Sequence, residues 1–230
     1  MKIGFTGIEL GEGKVKYNDP QLKALEKKDN PKKVAPFFAE FIRDELVHVE
    51  AIIIPTTKIL DLLILDIEKL ETRAGRVTDE GERQLLKKAL DQLENEVPLC
   101  DAGLSPEEQA LIRLADPLSL KPVIMLSGST PDCDNLIEQA LDKAGYMFFY
   151  TSGPSESHAW LIRKGSDIIT CAGRIHSDLA RGFIKGDVVA FDDYLACHNF
   201  NECKSKGLAR VVDRDYVVEP GAIIEIRFNV

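Results

Sequence analysis

Glycines followed by a Gly-Lys pair form the pattern that grips phosphate, and the chain carries such a stretch near its start: Gly7-Ile8-Glu9-Leu10-Gly11-Glu12-Gly13-Lys14-Val15. The frame GxxxxGK[ST] works because backbone amides wrap the anion, the lysine reaches the terminal phosphates and the hydroxyl holds magnesium. Here the Gly-Lys pair falls one residue late, and Val15 stands where the hydroxyl belongs. The stretch is either a worn phosphate loop or an accidental likeness. The second reading is preferred, because the motif has meaning only in its strand-to-helix context.

Other chemistry-bearing residues are scattered. Cys197-His198, Cys203 and His176 could be imagined as metal ligands or as a Cys/His nucleophile pair, but their spacing fits no standard zinc pattern, and buried small cysteines are the plainer reading. Ser127-Gly128-Ser129 and Thr151-Ser152-Gly153-Pro154-Ser155 lack the GxSxG frame and read as turns. Asp192-Asp193 is a carboxylate pair, yet neighbours on a strand face opposite ways, so solvated surface is preferred to a shared site. Arg174, His176, Arg181 and Lys185 surround Phe183. Such a basic strip with one aromatic could grip single-stranded RNA or an acidic protein face, or simply keep the surface soluble. Trp160 is read as core.

The elements that must position these residues follow from pattern. Lys2–Gly7 reads as a strand ending in a turn, and Asp19-Pro20 starts a helix over Gln21–Lys28. Ala51–Ile54 has the continuous β-branched character of a strand covered on both faces. Ile59, Leu60, Leu63, Ile64, Ile67 and Leu70 recur at helical spacing, as do Leu85, Leu86, Leu90 and Leu93, which predicts a helical hairpin. Ser105-Pro106-Glu107-Glu108 is a capping box. Lys121–Leu126 returns to strand, and Asp134–Ala144 to amphipathic helix. From Gly145 short strands are expected at Tyr146–Tyr150, Ala159–Ile162, Val188–Phe191, Arg210–Val212 and Ala222–Phe228.

Apolar residues are 44% of the 230 and charged residues 29%, the balance of a folded domain long enough to bury a core. The net charge is −9, and from Trp160 onward acids and bases balance, so the excess of acid lies earlier. A generally acidic protein disfavours tight nonspecific nucleic-acid binding, though a local patch in the neutral C-terminal region stays open. Five scattered cysteines without CxxC argue against a disulfide framework and a zinc site. No apolar run suits a signal peptide or a bilayer span, so a cytoplasmic, non-membrane protein is expected.

The C-terminal stretches Ala159-Trp160-Leu161-Ile162, Ala172-Gly173-Arg174-Ile175-His176-Ser177-Asp178, Arg181-Gly182-Phe183-Ile184-Lys185, Asp215-Tyr216-Val217-Val218 and Arg227-Phe228-Asn229-Val230 closely resemble the TGS domain that ends the Obg-like ATPases, the YchF family. Leu104–Glu108, Leu120-Lys121-Pro122, Asp19-Pro20-Gln21-Leu22 and Asn30–Val34 resemble the same family upstream. The likeness covers nearly the whole chain, with gaps.

That resemblance implies an α/β protein: a truncated P-loop-NTPase-like core over residues 1–56 and 118–144, a helical hairpin arm over 57–117, and a ubiquitin-like β-grasp TGS domain over 145–230. It also implies that the gaps fall on the nucleotide site. Ile8-Glu9 and Gly13-Lys14 run into a segment resembling the family's sequence well beyond its phosphate loop. The phosphate-sensing acid and glycine expected after Glu40-Phe41-Ile42 are replaced by Arg43-Asp44-Glu45-Leu46. Gly128-Ser129-Thr130-Pro131 stands where the base-reading Asn-x-x-Glu belongs. Gly7, Gly13, Lys14, Gly128 and Thr130 are thus degenerate positions, and no catalytic residue, metal or cofactor is expected. The expected function is non-catalytic binding or regulation, with the TGS domain docking on ribosome, RNA or a protein partner through Arg174, His176, Arg181, Phe183 and Lys185. The alternative is residual ATP or GTP binding with weak or no hydrolysis. Self-association is a further expectation, because losing helices from an α/β sheet bares apolar surface.

Overall fold

A computed structural model describes residues 1–128 and 132–229. In chain order its elements are β1 (Lys2–Phe5), β2 (Gly13–Lys16), α1 (Pro20–Asp29), β3 (Lys33–Ala35), β4 (Phe38–Arg43), β5 (Ala51–Pro55), α2 (Ile59–Ala74) and α3 (Glu80–Glu94). Then come α4 (Pro106–Ile112), β6 (Val123–Leu126), α5 (Cys133–Lys143), β7 (Tyr146–Thr151), β8 (Glu156–Arg163), α6 (Ile168–Ile175) and α7 (Ser177–Arg181). The chain ends with β9 (Phe183–Val189), α8 (Phe191–Ala196), α9 (Phe200–Ser205), β10 (Arg210–Val212) and β11 (Ile223–Phe228). Among the described residues no helix is long and apolar enough to cross a membrane. The chain forms two units, Met1–Val15 with Ala39–Ala144, and Lys16–Phe38 with Gly145–Val230.

In the first unit the strands run in the order β2-β4-β1-β5-β6, with β1 parallel to β4 and β5, and β5 parallel to β6. Ala51–Ile54 is buried throughout, as a strand covered on both faces requires. Gly4 lies where only a bare backbone fits: a Cβ there would stand 1.9 Å from the Glu45 carbonyl oxygen. The leucine seam of α2 and α3 forms as the helical period predicts, but it is continuous with Ile52, Ile54 and Val123 in one apolar cluster, so hairpin and sheet share a core. Asp66 is buried on α2 and satisfied by the amides of Leu118 and Ser119 at 2.6 and 2.7 Å, which ties the return of the chain to the helix. The capping box at Ser105 and Glu108 is present.

In the second unit the order is β10-β9-β11-β7-β8-β3. β7 and β8 form an antiparallel pair, β11 lies parallel to β7, and β9 and β10 continue antiparallel. The outer β3 is parallel to β8, with Lys33 opposite Glu156. Both faces are covered, which explains the unbroken apolar run Tyr146–Tyr150 on β7. Met147 and Phe149 face Ile168, Cys171 and Ala172 of α6, while Tyr150 faces Leu22 and Leu25 of α1 together with Tyr194, Phe200 and Cys203. Two expectations change here. Lys16–Phe38, assigned by sequence to the first domain, packs with the C-terminal unit, because Leu22 and Leu25 are the apolar cover of one face of its sheet. The strand expected at Val188–Phe191 is β9, which begins at Phe183 and stops at Val189, and Phe191 already starts α8.

Candidate functional site

In open α/β sheets ligands bind beyond the carboxyl ends of the strands, so the ends of β1, β4, β5 and β6 bound the first candidate site. Thr6, just past β1, donates its hydroxyl hydrogen to Asp44 Oδ1 at 2.7 Å, and Thr56 donates to the Leu126 carbonyl at 3.3 Å. Gly7 takes φ +70°, and a Cβ there would meet the Lys58 side chain at 2.7 Å. Past this turn the chain enters β2 rather than a helix, so Gly13 and Lys14 lie on the outermost strand of the sheet.

Arg43, at the end of β4, organises the intervening loop. Its guanidinium donates to Glu12 at 3.0 Å and to the carbonyls of Leu10 and Ile8 at 3.2 and 3.5 Å, pairs with Glu9 at 3.7 Å, and lies over the Phe5 ring. Carbonyl oxygens therefore converge on a cation. A phosphate cradle has the opposite polarity, with amide hydrogens converging on an anion at the start of a helix. Gly128 is a turn residue at φ +93° after β6, and Thr130 lies outside the described residues. The contribution of Arg43, Asp44 and Thr6 was not foreseen as a cluster. Arg43 follows the buried Phe41 by two residues, on the same face of β4, and a charge ending that apolar face is the signal that could have pointed to it.

In the second unit the basic strip divides. Arg174 and His176 are exposed at the end of α6, and His176 Nδ1 accepts from the Asp178 amide as the cap of α7. Arg181 is paired with Asp178 at 2.8 Å, and Lys185 with Asp213. Phe183 is only 6% exposed, sits in the core, and carries the Arg214 guanidinium over its ring. It cannot serve as the stacking aromatic expected of the strip, because strand alternation turns it inward and turns Ile184 out. Asp192 and Asp193 stand in the first turn of α8, where negative charge complements the helix dipole; they are not strand neighbours.

Among the described residues no group of three or more His, Cys, Asp or Glu is placed to hold a metal. Cys197 and Cys203 are buried, and burial with the neighbouring Cys197 thiol pushes Cys203 up to about 11, the opposite of a reactive thiolate. Trp160 is half-buried, stacked between Phe149 and His158, with its indole nitrogen donating to Thr151 at 3.0 Å.

A tightly joined set of polar groups in this unit lies along α1 and is not singled out by the sequence pattern. Asp29 accepts from Lys28, Ser152 and Tyr194 at 2.8, 2.6 and 2.7 Å. Burial works against its charge, but these hydrogen bonds outweigh it and hold the carboxyl below the ordinary range. Asp19 caps α1 through the Gln21 amide and accepts from Tyr150, and burial raises it. Burial and the neighbouring carboxylates push Tyr150 and Tyr194 far up, so both phenols stay neutral donors. These arrangements fasten a helix to a sheet and offer no nucleophile.

Residues 146–229 match the family model YchF-GTPase_C, described as "Protein of unknown function (DUF933)". Ribosome-binding ATPase YchF of Bacillus subtilis is 25% identical over 260 residues, covering 83% of this chain and 71% of the relative. The same-named protein of Haemophilus influenzae is 25% identical over 330 residues, covering 98% of this chain and 91% of the relative. Obg-like ATPase 1 of Rattus norvegicus is 40% identical over 103 residues, which is 41% of this chain and 26% of that protein. Alignments of 260 and 330 positions exceed the 230 residues here, so they open gaps in this chain. The solved Schizosaccharomyces pombe YchF GTPase shares the fold, with a TM-score of 0.79 at 18% identity over 96% of this chain and 88% of that one. By these matches the chain is similar to the YchF and Obg-like ATPase proteins, and its residues 146–229 match the model of their C-terminal domain.

Proposed function

We propose that the chain is a non-catalytic binding protein of this family that docks on the ribosome through a C-terminal TGS unit of β-grasp type. The relatives named ribosome-binding ATPases support the partner. The β7-β8 pair, with α6 across it and β11 parallel to β7, supports the β-grasp reading. A cytoplasmic location goes with the same reading.

The single observation behind the absence of catalysis is the polarity of the loop between β1 and β2. Its carbonyls face Arg43, and Lys14 leaves along an edge strand. Phosphoryl transfer is positioning plus electrostatic stabilisation, and neither has a scaffold there. Residual ATP or GTP binding is the second reading, favoured by Thr6, Asp44 and Thr56 at the carboxyl ends of the strands. Isothermal titration with ATP and GTP in magnesium, run beside ribosome co-sedimentation, tests both. Co-sedimentation without nucleotide heat is expected; micromolar nucleotide affinity or measurable turnover would overturn the non-catalytic reading, and failure to co-sediment would overturn the docking.

A further inference from the structure

Lys16–Phe38 gives the C-terminal unit a charge that its own residues lack. Gly145–Val230 holds ten Lys or Arg against eleven Asp or Glu, whereas Lys16–Phe38 holds six lysines, no arginine, and only Asp19, Glu26 and Asp29 as acids. Two of these acids are engaged inward. Asp19 is buried beneath its cap and the Tyr150 hydroxyl, and Asp29 is held by Lys28, Ser152 and Tyr194. Glu26 is the exposed acid that remains.

α1 buries Leu22 and Leu25, so Lys23 and Lys27, one turn apart, share its outward side. Lys16 and Lys32 are exposed before and after the helix. Complementing the helix dipole accounts for Lys27 and Lys28 in the last turn, but not for Lys16, Lys23 or Lys32. The lysines carry no arginine with them, and α1 itself holds no aromatic side chain of the kind that anchors protein hot spots. Lysine meets phosphate as a compact point charge, and contacts to phosphate carry no sequence information.

We propose that the outward face of α1, with Lys23 and Lys27 at its centre and Lys16 and Lys32 at its flanks, is an RNA-docking surface that neutralises backbone phosphates without reading sequence. It deepens the ribosome reading above and rests on it for the source of the RNA. The expected surface around Arg174 and Arg181 becomes secondary, since Asp178 already pairs with Arg181.

The test is fluorescence anisotropy of the full chain with a mixed-sequence single-stranded RNA across a salt series. The variants are Lys23→Gln with Lys27→Gln, Lys23→Glu with Lys27→Glu, and, for contrast, Arg174→Glu with Arg181→Glu. Each lost contact takes about 0.7 from the slope of log affinity against log salt, so the Gln pair loses about 1.4 in slope and roughly tenfold in affinity at low salt. The Glu pair loses more, and the arginine pair stays close to the parent. An unchanged Trp160 fluorescence transition shows that each variant is folded.

A parent slope in the Gln pair, a loss carried by the arginine pair, or no RNA binding by the parent overturns the surface. Ribosome co-sedimentation separates the two claims. Co-sedimentation with RNA binding indifferent to Lys23 and Lys27 keeps the docking and removes this surface; lysine-dependent RNA binding without co-sedimentation does the reverse. Co-sedimentation lost in the Glu pair while the parent ignores free RNA assigns the face to an acidic protein and overturns the RNA assignment.

Discussion

Tyr150 Oη donates to Asp19 Oδ2 at 2.6 Å, joining β7 to the cap of α1 across 131 positions of sequence. Removing the hydroxyl leaves a buried carboxylate short of a partner while keeping the ring. Tyr150→Phe is expected to cost about 1–3 kcal/mol. Trp160 is the sole tryptophan and lies on β8, so denaturant unfolding followed by its fluorescence reads this unit.

The acids of the same unit set opposite pH dependences. For Asp187, burial opposes ionisation, but Arg227 and Lys204 overcome it and hold the carboxyl below its ordinary 3.8. Its contribution is full above 3.8 and is lost as pH falls through the depressed folded value. Asp19 is raised, so its ionisation lowers stability as pH climbs from 3.8 through the folded value. Unfolding midpoints measured down the acid range should therefore fall less steeply in Asp187→Asn than in the parent, and the high-pH penalty should vanish in Asp19→Asn.

Leu25 is fully buried beside Tyr150, Ala159 and Ile223. Leu25→Ala is expected to cost about 2–5 kcal/mol, as for any filled core site. The loss should register in the Trp160 signal, although Leu25 lies far from that residue in sequence. An unchanged Trp160 transition would mean that α1 is no part of that core.

Gly4→Ala forces a methyl into the Glu45 carbonyl, where backbone must move, and overpacking of this kind costs about 1–3 kcal/mol. Hydrogen exchange of the Ile52 and Ile53 amides in the adjoining β5 should quicken, with Trp160 unfolding unchanged.

Local chemistry was legible in the sequence. Asp19-Pro20 started a helix, Ser105 and Glu108 closed a capping box, and Arg210–Val212 was a strand, because each signal lies within a few residues of its effect. Non-local pairing was not. Val34 beside Ser157 is a match of the three-residue β3 to β8 that no periodicity announces, so the grouping of Lys16–Phe38 with the C-terminal strands is not legible in the sequence. Its basic neighbours make Phe183 look like a contact in the sequence, while the alternation that buries it depends on where the strand starts. The Arg43 loop illustrates the same limit: a Gly-Lys pair is visible in sequence, but whether amides or carbonyls turn inward is decided by the side chain of another strand.

The interleaving of the chain changes what it means to take this protein apart. Polypeptide passes between the two units three times, at residues 15/16, 38/39 and 144/145. A protease nick at any one of these points leaves both units still covalently tethered, and a gene cut at residue 144/145 removes Leu22 and Leu25 from the fragment that needs them. During synthesis the same helix leaves the ribosome before its sheet exists, so it must wait, uncovered, until β7 and β8 have been translated.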